Sequence, residues 1–453
     1  MSGKYLRIKS AVRYRQYGNQ VYLRNSETRK EYLFNPIVSD LLDHIGKDCW
    51  TEEDEILAGL AKEYEISDII AFRQDIREFL EDLVREKILE QDPEPAKDSE
   101  TSVLEQVETL CSREHILFSA CMELTYRCNE RCVHCYVDDI DREYGELTTD
   151  HWLKVLEQLH ALGCMKILLT GGEVLLRKDF PEIVRYASRL EMLVDIFTNG
   201  LIFDENIYDE LYRLKVNSLS FSLYSGEADV HDRITGVKGS FERTLRSIMI
   251  TKCSGIDTYI KTVVIKENAD SLESLYRLGK RLNVPVAPSY MILDTHNGCS
   301  GSIHRLEEIE SYRRAIRLEN KPVTKEAVKP RDPESLVCSA GQYSLCIDPF
   351  GNVTPCNALH LPLGNVTETN LADIWDQFAR RPERQIPRLQ DICGKCGECE
   401  AFSDCGLCLG YMHWYPGWKA SVPPEICTIA HARMDIRNEI NNERSNHYGK
   451  EGL

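Results

Sequence analysis

The chain has 453 residues, enough for two or three domains of ordinary size, with 42% hydrophobic and 28% charged residues as in a globular protein. Its formal charge of −18, from 55 Lys and Arg against 73 Asp and Glu, argues against a nucleic-acid backbone as main partner, because phosphate binding draws on clustered cations. No apolar run reaches the roughly 18 residues of a transmembrane helix, and the basic N-terminus lacks the apolar stretch of a signal peptide, so the expectation is a cytoplasmic protein with no membrane partner.

Residues 1–92 read as a small α+β unit. Two alternating stretches, Gln20–Arg24 and Lys30–Asn35, predict a β-hairpin across Asn25-Ser26-Glu27, with an exposed edge strand near Gln20–Arg24. Pro36–Ile45 and Ala71–Lys87 carry helical spacing, the second with Ile76, Phe79, Leu80, Leu83 and Val84 on one face. Thr51 and Asp54 form a loose capping box that would start another helix between them. Residues 93–113, acidic and Pro-bearing before an apolar end, read as a linker.

From 114 to 320 strand-like and helix-like patterns alternate. The strands are His115–Leu124, Lys166–Leu169, Leu193–Thr198, Ser218–Leu223, Thr258–Val264 and Val284–Met291, with helices at Trp152–Leu162, Phe180–Leu190, Ile207–Leu214, Phe241–Thr251 and Leu272–Leu282 between them. Six βα-type repeats predict an α/β domain, a parallel sheet curved into a partial (βα)6 TIM-like barrel with its site at the strands' C-terminal ends. Residues 321–453 break into turns, glycines and cysteines.

Eighteen cysteines are the unusual feature, and they cluster, with three at 128–135 and six between 393 and 427. In a reducing compartment such spacings suggest metal sites rather than disulfides. Cys128, Cys132 and Cys135 directly follow the first barrel strand. Three thiolates are one short of saturating a [4Fe–4S] cluster, so one iron stays open to a small chelating molecule. A zinc site lacking one ligand is the bland alternative. Cys49, Cys111, Cys121, Cys164 and Cys253 sit in apolar patterns and read as small core residues.

The run from Cys128 to Cys135 resembles the radical S-adenosylmethionine (SAM) signature CxxxCxxC. The resemblance implies a [4Fe–4S] cluster that binds SAM and cleaves it to a 5′-deoxyadenosyl radical, which takes hydrogen from substrate; a flavodoxin- or ferredoxin-type donor would supply the electron. His134 takes the family's aromatic place beside the adenine. Gly171, Gly172 and Glu173 resemble its GGE motif, which binds the methionine amino group, with Val174 replacing the usual proline. Asn199 and Ser222 end the third and fourth strands; the serine matches one near the SAM ribose or carboxylate. Arg233 resembles an arginine that pairs with the methionine carboxylate, whereas His231 and Asp232 are read as structural.

The C-terminal part resembles the SPASM extension: Cys338, then Gly351 and Cys356, then Cys396-x₂-Cys399-x₅-Cys405-x₂-Cys408, then Cys427, one residue shorter before Cys408 than the family pattern. The resemblance implies two auxiliary [4Fe–4S] clusters, one on Cys396, Cys399, Cys405 and Cys427, the other on Cys338, Cys356 and Cys408 with Cys346, Cys299, Cys393 or an open site as fourth ligand. The N-terminal unit resembles the winged-helix peptide-binding domain of the pyrroloquinoline-quinone chaperone family, which implies a leader peptide bound by β-augmentation. The three together resemble maturases of ribosomally made peptides, and the segment around Ser222–Ser225 and His231–Ser240 resembles the sactipeptide and ranthipeptide enzymes that join Cys sulfur to carbon. Carbon–carbon or ether crosslinking, a formylglycine-forming sulfatase enzyme, and a non-catalytic zinc scaffold are the alternatives.

Overall fold

The structure, a computed structural model, describes residues 4–448 apart from 10–11, 18–19, 26–27, 29, 36, 46–49, 65–68, 93–102, 138–144, 203–204, 296–300, 320–335, 381–385, 390–395, 397–398 and 413–421. Its contacts divide the chain into two compact units, 1–106 and 107–453. Residues 93–102 of the expected linker lie outside the described residues, as do Cys49, Cys299, Cys393 and the turn residues Ser26 and Glu27.

The first unit runs β1 (Tyr5–Ile8), β2 (Val12–Tyr17), β3 (Gln20–Asn25), β4 (Glu31–Phe34), α1 (Ile37–His44), β5 (Thr51–Glu52), α2 (Glu53–Glu63), α3 (Ile69–Arg85) and β6 (Leu89–Asp92). It forms two antiparallel sheets, β5-β1-β6 and β2-β3-β4. The hairpin registers Val21 opposite Phe34 and Leu23 opposite Tyr32. The expected edge is corrected: β3 pairs with β2 as well as β4, so it is the central strand, and the edges belong to its neighbours. Alternation identifies the face a strand buries, here Val21 and Leu23 at 0% exposure, but not how many strands flank it. The capping box is also corrected. Thr51 pairs with Leu6 in the sheet, and α2 starts after Glu52 with no side-chain cap. Ile76, Leu80 and Leu83 of α3 pack with Leu41, Leu42, Leu6 and Ile8 in one core.

The helix α4 (Val103–Glu114) leads into the second unit, which runs β7 (Ser119–Thr125), α5 (Thr149–Ala161), β8 (Lys166–Gly171), α6 (Phe180–Arg189), β9 (Leu193–Thr198), α7 (Glu205–Arg213), β10 (Ser218–Ser222), α8 (Ala228–Thr235), α9 (Ser240–Ser254), β11 (Asp257–Val263), α10 (Leu272–Leu282) and β12 (Val286–Ser289). The six strands lie parallel in chain order. One face, with Met122, Leu124, Ile167, Leu169, Ile196, Phe221 and Ile260, packs on helix residues such as Trp152, Leu156, Ile183 and Ile248. The other face carries Cys121, Lys166, Asp195, Ser220 and Lys261 around a hollow. After α11 (Ile309–Arg317) come β13 (Ser344–Ile347), β14 (Asn352–Thr354), β15 (Gly364–Asn365) and α12 (Leu371–Ala379). β13 adds parallel to β7, with Cys346 opposite Cys121, so the sheet has nine strands and continues past the barrel into the cysteine-rich part. Among the described residues no helix is long and apolar enough to cross a membrane.

The end of β8 crosses very close to the chain that leaves β7. Gly172 donates its N–H to the Thr125 carbonyl at 2.7 Å, and Glu173 donates to that of Arg127 at 2.8 Å. A Cβ on Gly172 would stand 2.3 Å from the Arg127 oxygen. Glycine is required there by backbone packing. Gly172→Ala is expected to force the strands apart and cost about 1–3 kcal/mol, as overpacking does; denaturant titration of the full chain would measure it, accompanied by lower iron retention because the displaced segment leads to Cys128.

Candidate active site

The loop after β7 has few hydrogen bonds of its own and takes its shape from α8. The helix's last carbonyls, Ile234 and Thr235, accept from the N–H groups of Val133 (3.0 Å) and Arg131 (2.9 Å). Carbonyls at a helix C-terminus lack intrahelical partners, so the loop completes both elements at once. Gly236 caps α8 at φ 71°, and a Cβ there would sit 3.2 Å from the Arg131 oxygen. Asp232 braces the following turn by accepting from the N–H of Gly239, the N–H of Phe241 at 2.9 Å and the Ser240 hydroxyl at 3.1 Å. Burial raises its carboxyl, but these donors outweigh that and hold it below its ordinary value.

Held this way, Cys128, Cys132 and Cys135 line one cavity of about 420 Å³ with His134, Thr170, Gly171, Gly172, Asn199, Ser222 and Tyr224. That size suits a small-molecule site, which spans roughly 300–1,000 Å³. Burial, and then neighbouring negative charge, pushes the Cys128 thiol up to about 11 and raises that of Cys132 as well. Asn199 turns its amide toward Cys128 Sγ at 3.7 Å and the Asn129 oxygen at 2.7 Å. The ring of His134 meets Tyr224 edge-on at 4.8 Å, and its Nδ1 is buried without a hydrogen-bond partner.

Glu173 and Arg233 are not among the residues that line this cavity. Glu173 is completely buried and does not face the cavity. Its carboxylate accepts from Leu175 N–H (3.0 Å), the Thr198 hydroxyl (2.8 Å) and Asn199 N–H (2.7 Å), which ties β8 to β9 beneath the site. Burial raises its carboxyl in spite of those donors. Arg233 is exposed on α8, outside the cavity wall, because the helix turns His231, Ile234 and Thr235 inward and these occupy the opposite face. His231 is wholly buried, and burial lowers its imidazole to about 4; its Nδ1 accepts from the Tyr224 N–H at 3.2 Å. It is a neutral strut for the tyrosine.

Glu130, Tyr224, Lys261 and Asn357 also line the cavity and were not singled out from sequence. Glu130 is 4% exposed, and burial pushes its carboxyl up to about 8. The Tyr224 hydroxyl lies 3.9 Å from Cys132 Sγ. A polar residue inside a cysteine loop was the one available signal. Lys261 and Asn357 sit in a strand and a turn whose patterns carried none.

A second cavity, of about 490 Å³, occupies the hollow of the sheet toward the strands' N-terminal ends. It shares Phe197, Lys261 and Asn357 with the first, and its wall includes Cys356 and Cys121. Cys356 is pushed up to about 11 by burial and then by Cys408 and Cys338, so these three lie together. Cys427 feels Cys396 and Cys399 in the same way. Cys346 is buried in the sheet as a free thiol hydrogen-bonded to that of Cys121. Cys111 and Cys164 are buried as expected of core residues, whereas Cys253 is exposed and Cys121 faces the hollow.

The donor sets fit iron–sulfur clusters better than single ions. No three His, Cys, Asp or Glu side chains among the described residues converge on a point one ion could occupy. Zinc draws thiolates to about 2.3 Å, whereas sulfurs spread around a cavity suit a cube of iron and sulfide.

Residues 122–279 match the radical SAM superfamily, and 338–400 match the SPASM iron–sulfur cluster-binding domain. The chain is 28% identical over 313 residues to the AdoMet-dependent heme synthase of Methanosarcina barkeri, covering 63% of this chain and 89% of that protein. It is 27% identical over 300 residues to the antilisterial bacteriocin subtilosin biosynthesis protein AlbA of Bacillus subtilis, covering 64% and 66%. Streptococcus suis SuiB bound to its precursor peptide SuiA shares the fold, with a TM-score of 0.53 and 15% identity over 92% of this chain and 100% of that one. A radical SAM domain binds a [4Fe–4S] cluster and SAM, and an SPASM domain binds auxiliary iron–sulfur clusters. The chain thus carries a radical SAM domain and, C-terminal to it, an SPASM domain.

Proposed function

We propose that this enzyme installs crosslinks in a ribosomally made precursor peptide, joining Cys sulfur to carbon as a thioether. The observation that carries the reading is that the cavity at the cysteine loop adjoins the hollow of the barrel beside Cys356, the two sharing Phe197, Lys261 and Asn357 in their walls. The similarity to a bacteriocin biosynthesis protein supports a peptide substrate.

In this reading Cys128, Cys132 and Cys135 hold the cluster, with His134, Gly171, Gly172, Asn199 and Ser222 around SAM. Cys338, Cys356 and Cys408 hold one auxiliary cluster, with Cys346, Cys299, Cys393 or an open site as its fourth position, and Cys396, Cys399, Cys405 and Cys427 hold the other. The bound groups supply hydrogen abstraction from a substrate carbon and acceptance of the remaining electron. The chain's own residues position and enclose: Tyr224, fixed by His231, closes the wall beside Cys132, and Asn199 steadies Cys128. The N-terminal unit is a winged-helix-like recognition domain for the leader peptide, which would add to β2 or β4 as a further strand. A flavodoxin- or ferredoxin-type protein supplies electrons.

The heme synthase similarity favours a second reading, a substrate of heme synthesis in the same hollow. Coexpression with neighbouring short cysteine-bearing peptides separates the readings. A thioether maturase lowers peptide mass by two hydrogens per crosslink and consumes thiols, while carbon–carbon or ether crosslinking leaves the thiols titratable. Peptides unchanged in mass while a heme precursor is turned over would replace the proposal with the second reading.

Anaerobically purified protein is expected to hold about twelve irons with matching acid-labile sulfide, for three four-iron clusters; zinc without iron would sink the assignment. Cys132→Ala is expected to abolish release of 5′-deoxyadenosine. Cys405→Ala is expected to keep part of that release while losing crosslinked product, read by chromatography and mass spectrometry of the same reaction.

A further inference from the structure

We propose that Lys261 holds a carboxylate of the substrate where the hollow of the barrel meets the cavity at the cysteine loop. Among the described residues it is the one lysine or arginine that lines that cavity, and it lines the hollow as well. On β11 it stands in register with Ser222 of β10 and Ala287 of β12, both in the wall of the first cavity. Asp257, Tyr259 and Lys261 share the face of β11 turned to the hollow, and Lys261 is the member that reaches both spaces. The inference rests on the reading that substrate occupies this hollow.

The charges around Lys261 leave it unmatched. Lys166 is answered by Asp195 at 3.2 Å, and the other oxygen of Asp195 accepts from the Asn217 amide at 2.7 Å and the Ser218 hydroxyl at 2.6 Å. Glu108 accepts from the Tyr343 hydroxyl at 3.0 Å. Asp257 stands four residues back along the strand, about 13 Å away. Lys261 makes no hydrogen bond or ion pair among the described residues; its amine rests over the Phe197 ring at 5.4 Å. Burial lowers its ammonium below the ordinary value, with Asp195 opposing and Lys166 adding to the effect. In the open hollow the cation is exposed and water solvates it. A substrate that fills the hollow displaces that water, and a cation then left without a partner is costly. An aromatic face attracts a cation but supplies no counter-charge. A carboxylate on the substrate supplies it. On a peptide this group is an Asp or Glu side chain; on a precursor of heme it is a propionate.

The test uses full-length, iron-reconstituted wild type, Lys261→Gln and Lys261→Arg with the precursor peptide found by coexpression. Versions of that peptide replace each Asp and Glu in turn by Asn or Gln. Lys261→Gln is expected to raise the peptide KM about tenfold. One peptide replacement is expected to raise it equally in wild type and to add nothing in Lys261→Gln, the signature of a shared contact. Lys261→Arg is expected to restore most of the wild-type KM, with SAM affinity, iron content and melting temperature the same in all three proteins. An unchanged KM in Lys261→Gln would overturn the proposal, as would losses that add for every peptide replacement. So would a weakening of SAM as large as that of the peptide, read anaerobically by calorimetry, because it would put the carboxylate of SAM on Lys261. If no peptide is modified, iron coproporphyrin III and its methyl ester replace the peptides. A preference for the free acid that vanishes in Lys261→Gln keeps the proposal with a propionate as the group held, and equal turnover of acid and ester by wild type overturns it. Wild type that converts neither class loses the reading of the hollow and the proposal together, whereas product formation indifferent to Lys261 removes the proposal alone.

Discussion

Two backbone hydrogen bonds, from Arg131 and Val133 to the last carbonyls of α8, set the form of a loop that has little structure of its own. Everything chemical in the first cavity depends on them, because three thiols must be spread around a volume and kept from collapsing onto one another. The helix end supplies acceptors that would otherwise go unmet, and the close crossing of β8 under the chain from β7 fixes the loop's other root. Asp232 and His231 belong to this framework: one holds the turn that lets α8 stop where it does, the other holds Tyr224 against the cavity.

The sheet divides labour between its faces. Its outer face is fat and packs on helices, so it provides cohesion. Its inner face carries small, polar and charged side chains and therefore stays hollow; Lys166 pairs with Asp195 at 3.2 Å there, and Lys261 lies over the Phe197 ring at 5.4 Å. A core filled on both faces would be more stable and would leave no room for a substrate.

Much of the barrel was legible because its strands alternate and its helices repeat an apolar face; β9 and α10 begin and end within a residue or two of where the pattern placed them. The cysteine sets were legible from spacing, since short loops bring sequence neighbours together. What failed depended on partners distant in the chain. β13 is four residues long and becomes a strand because β7 offers an edge. β3 gained a neighbour from Val12–Tyr17, whose alternation is short, Val12 and Tyr14 between arginines, before Gln16.

The pairing of β13 with β7 joins the segment that leads to Cys128 and the segment that leads to Cys356 into one ladder, in register from Ser119–Ser344 to Met122–Ile347. The spacing of the segments that carry Cys128 and Cys356 is thereby set by hydrogen-bonded backbone rather than by a flexible seam between modules. Electron tunnelling falls off steeply with distance, so clusters held at the two cysteine sets, as proposed, would keep a fixed gap. A chimaera that exchanged the cysteine-rich part would inherit working electronics only by carrying a strand able to zip onto that same edge.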